Sequence, residues 1–308
     1  MKADYDLVII GAGPAGLTAA LYAGRARLSV VVLEKMVPGG QILVSDWIEN
    51  YPGFVDGISG ADLMAHFLDQ VRRFDVEIRT DGVVSLDLAS RVKRVHLANG
   101  ILSARAVIIA TGASPRKLGV PGENTYYGQG VSTCATCDGP FFRESTVAAV
   151  GGGDTAVQES LFLTRFAKKV YLIHRRDQLR ATRILQERAF ENERLEIVWS
   201  SVVTEIKGGA SGVQAVTVKN AKTGVLSDLA VDGCFIWVGT TPNTAFIGDL
   251  VTTDPAGFII ADSRMVTSVP GVFAAGDVRN TPLRQVSTAV GDGAIAAYGA
   301  ISYLENLE

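Results

Sequence analysis

The sequence predicts an α/β fold made of two similar parallel-sheet units, the second inserted into the first. Three observations predict it. The apolar run Leu7-Val8-Ile9-Ile10 meets a glycine cluster, Gly11–Gly16, and then a helix-forming stretch. The same order of strand, glycine cluster and helix returns at Thr146–Ala156, with Gly151 standing 140 residues after Gly11. Residues 244–308 carry strand and helix patterns but no third glycine cluster, so they read as the chain returning to finish the first unit.

Composition sets bounds. At 308 residues the chain suits two domains, each with its own core. A net charge of −3 gives no bulk attraction to nucleic acid or to an anionic membrane. The three cysteines are too few for a secreted disulfide framework. Met1–Asp6 contains no signal-peptide core, and no apolar run reaches the roughly 18–20 residues of a membrane span. A soluble, cytoplasmic protein with no nucleic-acid or membrane partner is expected.

In the first unit, a continuous apolar run such as Leu7–Ile10 is expected of a strand buried on both faces. Gly11-Ala12-Gly13-Pro14-Ala15-Gly16 then forms GxGxxG before a helix from Leu17 to Ala26, the context in which glycines admit a pyrophosphate to a helix N-terminus. The next strand, Val30–Leu33, ends at Glu34, whose carboxylate suits ribose hydroxyls. These features define a Rossmann-like dinucleotide-binding unit. Residues 35–60 form a long loop with Gly39-Gly40-Gln41, Trp47 and Asn50-Tyr51-Pro52-Gly53-Phe54, read as a cover over a flat aromatic cofactor. Ser59 caps a helix whose apolar face is Leu63, Met64, Phe67, Leu68 and Val71, with His66 off that face. Val76–Leu102 alternates as a β-meander turning at Asn99-Gly100. Ala106–Ala110 is a further buried strand, ending in Thr111-Gly112, where a ligand can touch backbone.

A connector near 115–121 leads into the second unit. Thr146–Val150, Gly151-Gly152-Gly153-Asp154-Thr155-Ala156 and the following helix repeat the fingerprint as GxGxxA, and Val170–Ile173 ends at His174. Here the strand end carries His174-Arg175-Arg176 and Arg180 in place of an acid. Guanidinium forks suit a 2′-phosphate that a carboxylate would repel, so NADP is the expected dinucleotide. A second meander spans Leu195–Leu229, Phe235–Gly239 is the closing strand, and Thr240–Asn243 is the return connector. Cys234 reads as a small core residue.

Cys134-Ala135-Thr136-Cys137-Asp138 carries the chemistry. One helical turn, about 5.4 Å of rise, brings two cysteines within the roughly 4.4–6.8 Å of Cα separation that a disulfide allows. Such a pair opens and closes without moving the fold, and its thiolate exchanges with a partner disulfide. Asp138 is placed to hold or give the proton. A zinc site needs four ligands; the one other cysteine is Cys234 and the histidines His66, His96 and His174 are scattered, so no metal site is expected.

Taken together, Gly11–Gly16, Gly39-Gly40-Gln41, Asn50–Phe54, Ala110-Thr111-Gly112, Cys134–Asp138, Gly151–Ala156, His174–Arg176 with Arg180, Gly276-Asp277 and Arg284-Gln285-Val286 give the chain a resemblance, over essentially its full length, to the low-molecular-weight thioredoxin reductases. The resemblance implies FAD on residues 1–115 and 243–308, NADPH on an inserted domain of residues 116–242 that also carries the CxxC, a homodimer, and thioredoxin or a related small disulfide protein as acceptor. It implies that FAD is held by Gly11, Gly13, Pro14, Ala15, Gly16, Glu34, Lys35, Gly40, Gln41, Asn50, Ala110, Thr111, Gly112, Gly276, Asp277, Arg284, Gln285 and Val286. It likewise implies that NADPH is held by Gly151, Gly153, Asp154, Thr155, Ala156, His174, Arg175, Arg176 and Arg180. Cys137 would face the flavin, Cys134 would attack thioredoxin and Asp138 would be the acid/base. Hydride would pass from NADPH to FAD, and the reduced flavin would open the Cys134–Cys137 disulfide, with the inserted domain rotating between steps. Gln129 stands where the family often has a basic residue, which weakens the transfer of docking contacts. No thioredoxin-like domain is fused at either end, so the disulfide substrate is expected to be a separate molecule. The rival readings are a flavoprotein of similar fold that does not use the thiols, such as a ferredoxin–NADP reductase-like or NADH-oxidising enzyme, and a dinucleotide sensor with a redox switch.

Overall fold

The computed structural model describes residues 3–307. The chain forms two compact units: the first runs to Ser114 and resumes at Thr241, and the second is Pro115–Thr240. In chain order the first unit supplies β1 (Tyr5–Ile10), α1 (Pro14–Arg25), β2 (Val30–Glu34), α2 (Gly60–Arg72), β3 (Glu77–Thr80), β4 (Val83–Asp87), β5 (Lys93–Leu97), β6 (Gly100–Ile109) and the connector strand β7 (Ala113–Pro115). The second supplies β8 (Val131–Ser132), α3 (Ala135–Asp138), β9 (Thr146–Gly151), α4 (Asp154–Leu163), β10 (Lys169–Ile173), α5 (Arg183–Glu191), β11 (Leu195–Val198), β12 (Ser201–Gly209), β13 (Gly212–Asn220), β14 (Leu226–Ala230) and β15 (Gly233–Trp237). The return connector β16 (Thr240–Pro242) pairs with β7, and β17 (Val272–Ala274) and α6 (Val286–Glu305) complete the first unit.

In the first unit β3, β2, β1, β6 and β17 lie side by side and parallel. Strand β6 serves three partners, with β17 beside Val107–Ile109. Its Gly100–Ala104 half pairs antiparallel with β5 in the β4-β5-β6 meander, and its Ala104–Ile109 half pairs parallel with β1. The parallel strands bury both faces. Leu7, Ile9, Val32 and Ile108 meet the α1 and α6 residues Leu17, Ala20 and Ala296. Val8, Ile10, Val31 and Ile109 meet Leu86, Val95 and Ile259 on the other side. Both faces being apolar explains why these strands read as continuous runs rather than alternations.

The second unit repeats the plan with β11-β10-β9-β15-β8, all parallel, while β12-β13-β14 form a separate antiparallel sheet. Val147, Ala149, Leu172 and Phe235 face the helices, and Ala148, Val150, Ile173 and Ile236 face the meander. The fifth strand enters differently in the two units: β17 comes last in the first, whereas β8 comes before β9 in the second.

Two strands depart from the sequence reading. Glu77–Thr80 and Leu195–Val198 alternate, and the sequence assigns them to the meanders. In the structure β3 and β11 are edge strands of the parallel sheets. An edge strand has only part of its surface covered, so it takes polar residues as a meander strand does.

Helix starts follow their local chemistry. Pro14 occupies the first position of α1, where its missing N–H costs nothing, and Arg25 lies in the last turn. Ser59 Oγ caps α2 by accepting from the Asp62 N–H at 3.0 Å. Helices α1 and α6 pack through small residues, and a Cβ on Gly293 would collide with the Ala15 carbonyl oxygen. Gly291, on the same helix, has open space around it. Gly293→Ala is therefore expected to destabilise the protein by about 1–3 kcal/mol through overpacking, whereas Gly291→Ala is expected to stabilise it by up to about 1 kcal/mol. Chemical denaturation of the two variants checks the contrast.

Candidate active site

The first crevice lies at the carboxyl ends of β1, β2, β6 and β17. Gly11 leaves β1 at φ +103°, and a side chain there would strike the Ala110 carbonyl oxygen. A Cβ on Gly16 would strike the carbonyl oxygen of Gly11. Glycine at both positions lets the chain turn sharply and bring α1 close to the sheet. Glu34, at the end of β2, points back at this turn: Oε2 accepts from the Ala12 N–H at 2.9 Å and Oε1 from the Met36 N–H at 3.1 Å. Gly39 donates its N–H to Ala12 O at 2.8 Å, and a Cβ on Gly40 would lie 3.2 Å from Gly13 Cα. The Gly39-Gly40 segment is thereby laid against the α1 N-terminus beside Gly13 and Pro14, with Lys35 and Gln41 exposed nearby in sequence. A Cβ on Gly276, just past β17, would lie 2.9 Å from Ala15 Cβ, so Gly276-Asp277 also reaches this end of α1.

Several residues that the sequence reading did not select hold this edge in place. Asn243 ties down Thr111-Gly112: its Nδ2 donates to Thr111 O (2.8 Å), its N–H to Gly112 O (3.0 Å), and its carbonyl accepts from Thr111 Oγ1 (2.8 Å). Arg279 and Asp292 form a buried two-point ion pair (2.7 and 3.0 Å), and Asp292 also accepts from the Gly276 N–H (3.1 Å). Burial pushes the Asp277 carboxyl up, Arg284 pulls it back, and Asp292 adds to the rise. The Arg284 guanidinium lies 4.0 Å from the Phe258 ring centre, and its buried Nε has no hydrogen-bond partner among the described residues. Asn50 Nδ2 donates to Gln285 Oε1 at 3.1 Å, which brings the long loop to the first turn of α6 beside Val286. Trp47 is half exposed, while Phe54 stacks on exposed His66 with ring centres 6.4 Å apart.

The second crevice lies at the carboxyl ends of β9 and β10. A Cβ on Gly151 would strike Ala156 Cβ and the Trp237 carbonyl oxygen, so the GxGxxA turn is as tight as the first one. Gly153 is the N-cap of α4, and Thr155 is exposed in its first turn. The sequence reading sets His174 and Asp154 at the cofactor; the structure turns both side chains to the scaffold. His174 is only 4% exposed, its Nδ1 lies 2.8 Å from Gly151 O and its Nε2 3.0 Å from Gln178 O, and its ring fills the space beside Gly152. Burial holds its pKa below the usual value, against the two carbonyl hydrogen bonds and reinforced by Arg180 and Arg175. Asp154 Oδ1 accepts from the Thr182 N–H at 2.7 Å and so fixes the start of α5. Arg175, Arg176 and Arg180 are exposed and line a cavity of about 270 Å³, and the Arg180 N–H donates to Gly152 O at 2.7 Å.

The redox pair lies at the same carboxyl end of the sheet as this second crevice, beyond the edge strand β8. β8 runs directly to Cys134, which is the N-cap of the short helix α3. Cys134 and Cys137 form a disulfide with a Cα separation of 5.4 Å. Cys134 Sγ accepts from the Cys137 N–H at 3.2 Å, and Ser132 Oγ accepts from the Cys134 N–H at 3.0 Å. Cys137 is exposed, Cys134 and Asp138 are half-buried, and Ala135 is anchored in the core. Trp237 links this edge together: its Nε1 donates to Thr133 O at 3.1 Å, and its own carbonyl faces Gly151. Cys234 is fully buried and burial pushes its thiol up to about 12.

Two glycine-turned dinucleotide crevices and one CxxC disulfide define a redox protein of the nucleotide-dependent type. The chain belongs to the pyridine nucleotide-disulphide oxidoreductase family, whose model matches residues 5–293. It is 45% identical over 313 residues to a thioredoxin reductase of Peptoclostridium litorale, covering 100% of this chain and 99% of the relative. It is 47% identical over 304 residues to one of Listeria monocytogenes, covering 99% and 95%. The Lactococcus lactis thioredoxin reductase in its FR conformation matches with a TM-score of 0.97 at 46% identity, covering 98% of this chain and 100% of that one. The Streptococcus pyogenes enzyme matches with a TM-score of 0.65 at 51% identity, covering 98% of each.

Asp277 gives a pH test. Its raised pKa in the folded state means that its favourable contribution is complete below the unfolded carboxylate value of about 3.9 and is lost as pH rises through the folded value. Asp277→Asn cannot ionise, so the ligand-free variant is expected to gain stability relative to wild type as pH rises from 4 to 7. Denaturation curves of both proteins across that range check the sign.

Proposed function

We propose that the chain is an NADPH-dependent thioredoxin-disulfide reductase, with FAD resident on the first unit and NADPH bound by the second. One observation carries the reading: a closed CxxC disulfide stands at the edge of the same parallel sheet that ends in a glycine turn and an arginine-lined cavity. The first unit suits FAD on three counts. Its glycines leave room for a pyrophosphate at the start of α1, Glu34 suits ribose hydroxyls, and the partnerless buried Nε of Arg284 awaits an acceptor. Gly11, Gly13, Pro14, Ala15 and Gly16 would hold the phosphates, with Gly276-Asp277, Asn50, Gln285 and Val286 toward the ring. Bound FAD would supply the two-electron relay between NADPH and the Cys134–Cys137 disulfide.

The chain's own residues do the rest. Arg175, Arg176 and Arg180 select the 2′-phosphate and Gly151–Ala156 admits the pyrophosphate of NADPH. With the disulfide open, Cys134 Sγ attacks a disulfide sulfur of thioredoxin, and that bond breaks to release one thiolate as the mixed disulfide forms. Cys137 then attacks Cys134 Sγ, the second thioredoxin thiolate leaves, and the ring closes. The Cys137 N–H beside Cys134 Sγ favours the thiolate on Cys134, and Asp138 supplies and accepts protons. Because NADPH and the thiols belong to one unit and the flavin to the other, the second unit turns as a body on β7 and β16 to present each in turn.

The acceptor is a small disulfide protein of the thioredoxin kind. The working form is a homodimer, supported by exposed Ile295 and Tyr298 three positions apart on α6. The setting is the reducing cytoplasm, in keeping with a free cysteine and, among the described residues, no helix long and apolar enough to cross a membrane.

Anaerobic titration with NADPH is expected to bleach the flavin of wild type and of Cys137→Ser alike, while Cys137→Ser and Cys134→Ser both lose thioredoxin reduction to background. Full thioredoxin activity in either variant would overturn the route through the thiols. A cross-link pinning the two units is expected to leave either flavin reduction or disulfide exchange intact while abolishing turnover, which stopped-flow and steady-state assays of the linked protein distinguish.

A further inference from the structure

The arginine cavity of the second unit has lining residues outside the arginine motif, which motif reading does not reveal. Ser200 and Lys222 line it together with Arg175, Arg176 and Arg180, and the Ser200 N–H donates to Arg176 O at 3.0 Å. The turn between β13 and β14 brings Lys222 there. Asn220 Oδ1 accepts from the N–H groups of Lys222 (2.9 Å) and Thr223 (3.0 Å), and the Ala221 N–H donates to Ser200 O (2.6 Å). One lining residue is out of keeping with an anion site: Asp177, the single carboxylate among them. Lys222 Nζ lies 2.9 Å from Asp177 Oδ2.

An exposed ion pair of this kind contributes little to folding stability. Its placement in a concave cationic wall matters for another reason, since charge on such a wall sets the local potential felt by an incoming anion. Left bare, the Asp177 carboxylate would oppose three guanidinium groups at the position where selection between two nicotinamide dinucleotides is made. A 2′-phosphate carries up to two negative charges, so it feels that opposition far more than a ribose hydroxyl does.

We propose that Lys222 is a specificity-determining residue for the 2′-phosphate, acting by neutralising Asp177 so that the arginines meet the phosphate unopposed. The inference rests on the reading of this unit as the NADPH site. It makes the pair, rather than the lysine alone, the selecting element, and it assigns the β13–β14 turn a part in donor choice.

The test uses the holoenzyme and two small probes, 2′,5′-ADP and ADP, with affinities measured by calorimetry. Wild type is expected to bind 2′,5′-ADP the more tightly. Lys222→Met is expected to weaken 2′,5′-ADP about tenfold with less than about a twofold change for ADP, an effect that shrinks in high salt. Lys222→Arg keeps wild-type binding. Asp177→Asn in the Lys222→Met background restores 2′,5′-ADP affinity to within about threefold of wild type, because the charge left uncancelled has been removed. Unchanged 2′,5′-ADP binding in Lys222→Met, or a double variant as weak as the single one, overturns the proposal. Wild type that does not distinguish the two probes would instead overturn the NADPH reading itself, so the two failures are told apart. Initial rates with NADPH and NADH should follow the same order, with the change in KM rather than kcat.

Discussion

Close approach of backbone to backbone at the carboxyl ends of parallel strands is the constraint on which the rest depends. At Gly11 the turning chain lies so near the Ala110 carbonyl that no side chain fits, and at Gly16 the helix lies equally near the turn. The same tightness recurs at Gly151 against Trp237 and Ala156. Widening either turn by one methyl group would lift the helix from the sheet and withdraw its first N–H groups from the crevice. The glycine spacing, the buried strands and the position of both crevices are consequences of that one steric demand.

Given two glycine turns of the same kind, the strand end beyond each distinguishes them. After β2 stands a carboxylate already fixed by two backbone N–H groups, and after β10 stands a cluster of guanidinium groups. Under the proposed reading that difference directs a dinucleotide with free ribose hydroxyls to one unit and a 2′-phosphorylated one to the other. Repulsion among Arg175, Arg176 and Arg180 is tolerable because the cluster is exposed to water and its backbone is held from behind. His174 and Asp154 do that holding, through Gly151, Gln178 and Thr182.

Local signals were legible and non-local ones were not. The strand–glycine–helix units, the Ser59 cap, the buried strands and the CxxC turn all have causes within a few residues of sequence, so the chain displays them openly. The edge strands β3 and β11 alternate as meander strands do, and only their parallel partners reveal where they belong. His174 and Asp154 have types and positions that suit an anion site; the direction of each side chain is set by packing against Gly152 and by a bond to Thr182, which no spacing rule encodes. Asn243, Arg279 with Asp292, Trp237 and Lys222 each act on residues far away in the chain, on the order of a dozen to more than a hundred positions. Asp177, the carboxylate within the arginine motif, meets its cation 45 residues away, a pairing that no local pattern encodes.

The three cysteines show how position along a strand decides chemistry. Cys234 pairs in register with Val131, deep in the sheet, where burial lifts its thiol to about 12. At neutral pH such a thiol stays protonated and lacks the thiolate that exchange needs. Three residues beyond Val131 the chain has left the sheet, and Cys134 stands at the edge with a backbone N–H directed at its sulfur. The helical turn that follows sets Cys137 at a separation that closes a disulfide, while Ala135 pins the turn to the core. A thiol pair that must, under the proposed reading, both meet a protein disulfide and close on itself needs this combination of outward sulfur and anchored backbone. The end of a short edge strand supplies it, and the middle of the same sheet does not.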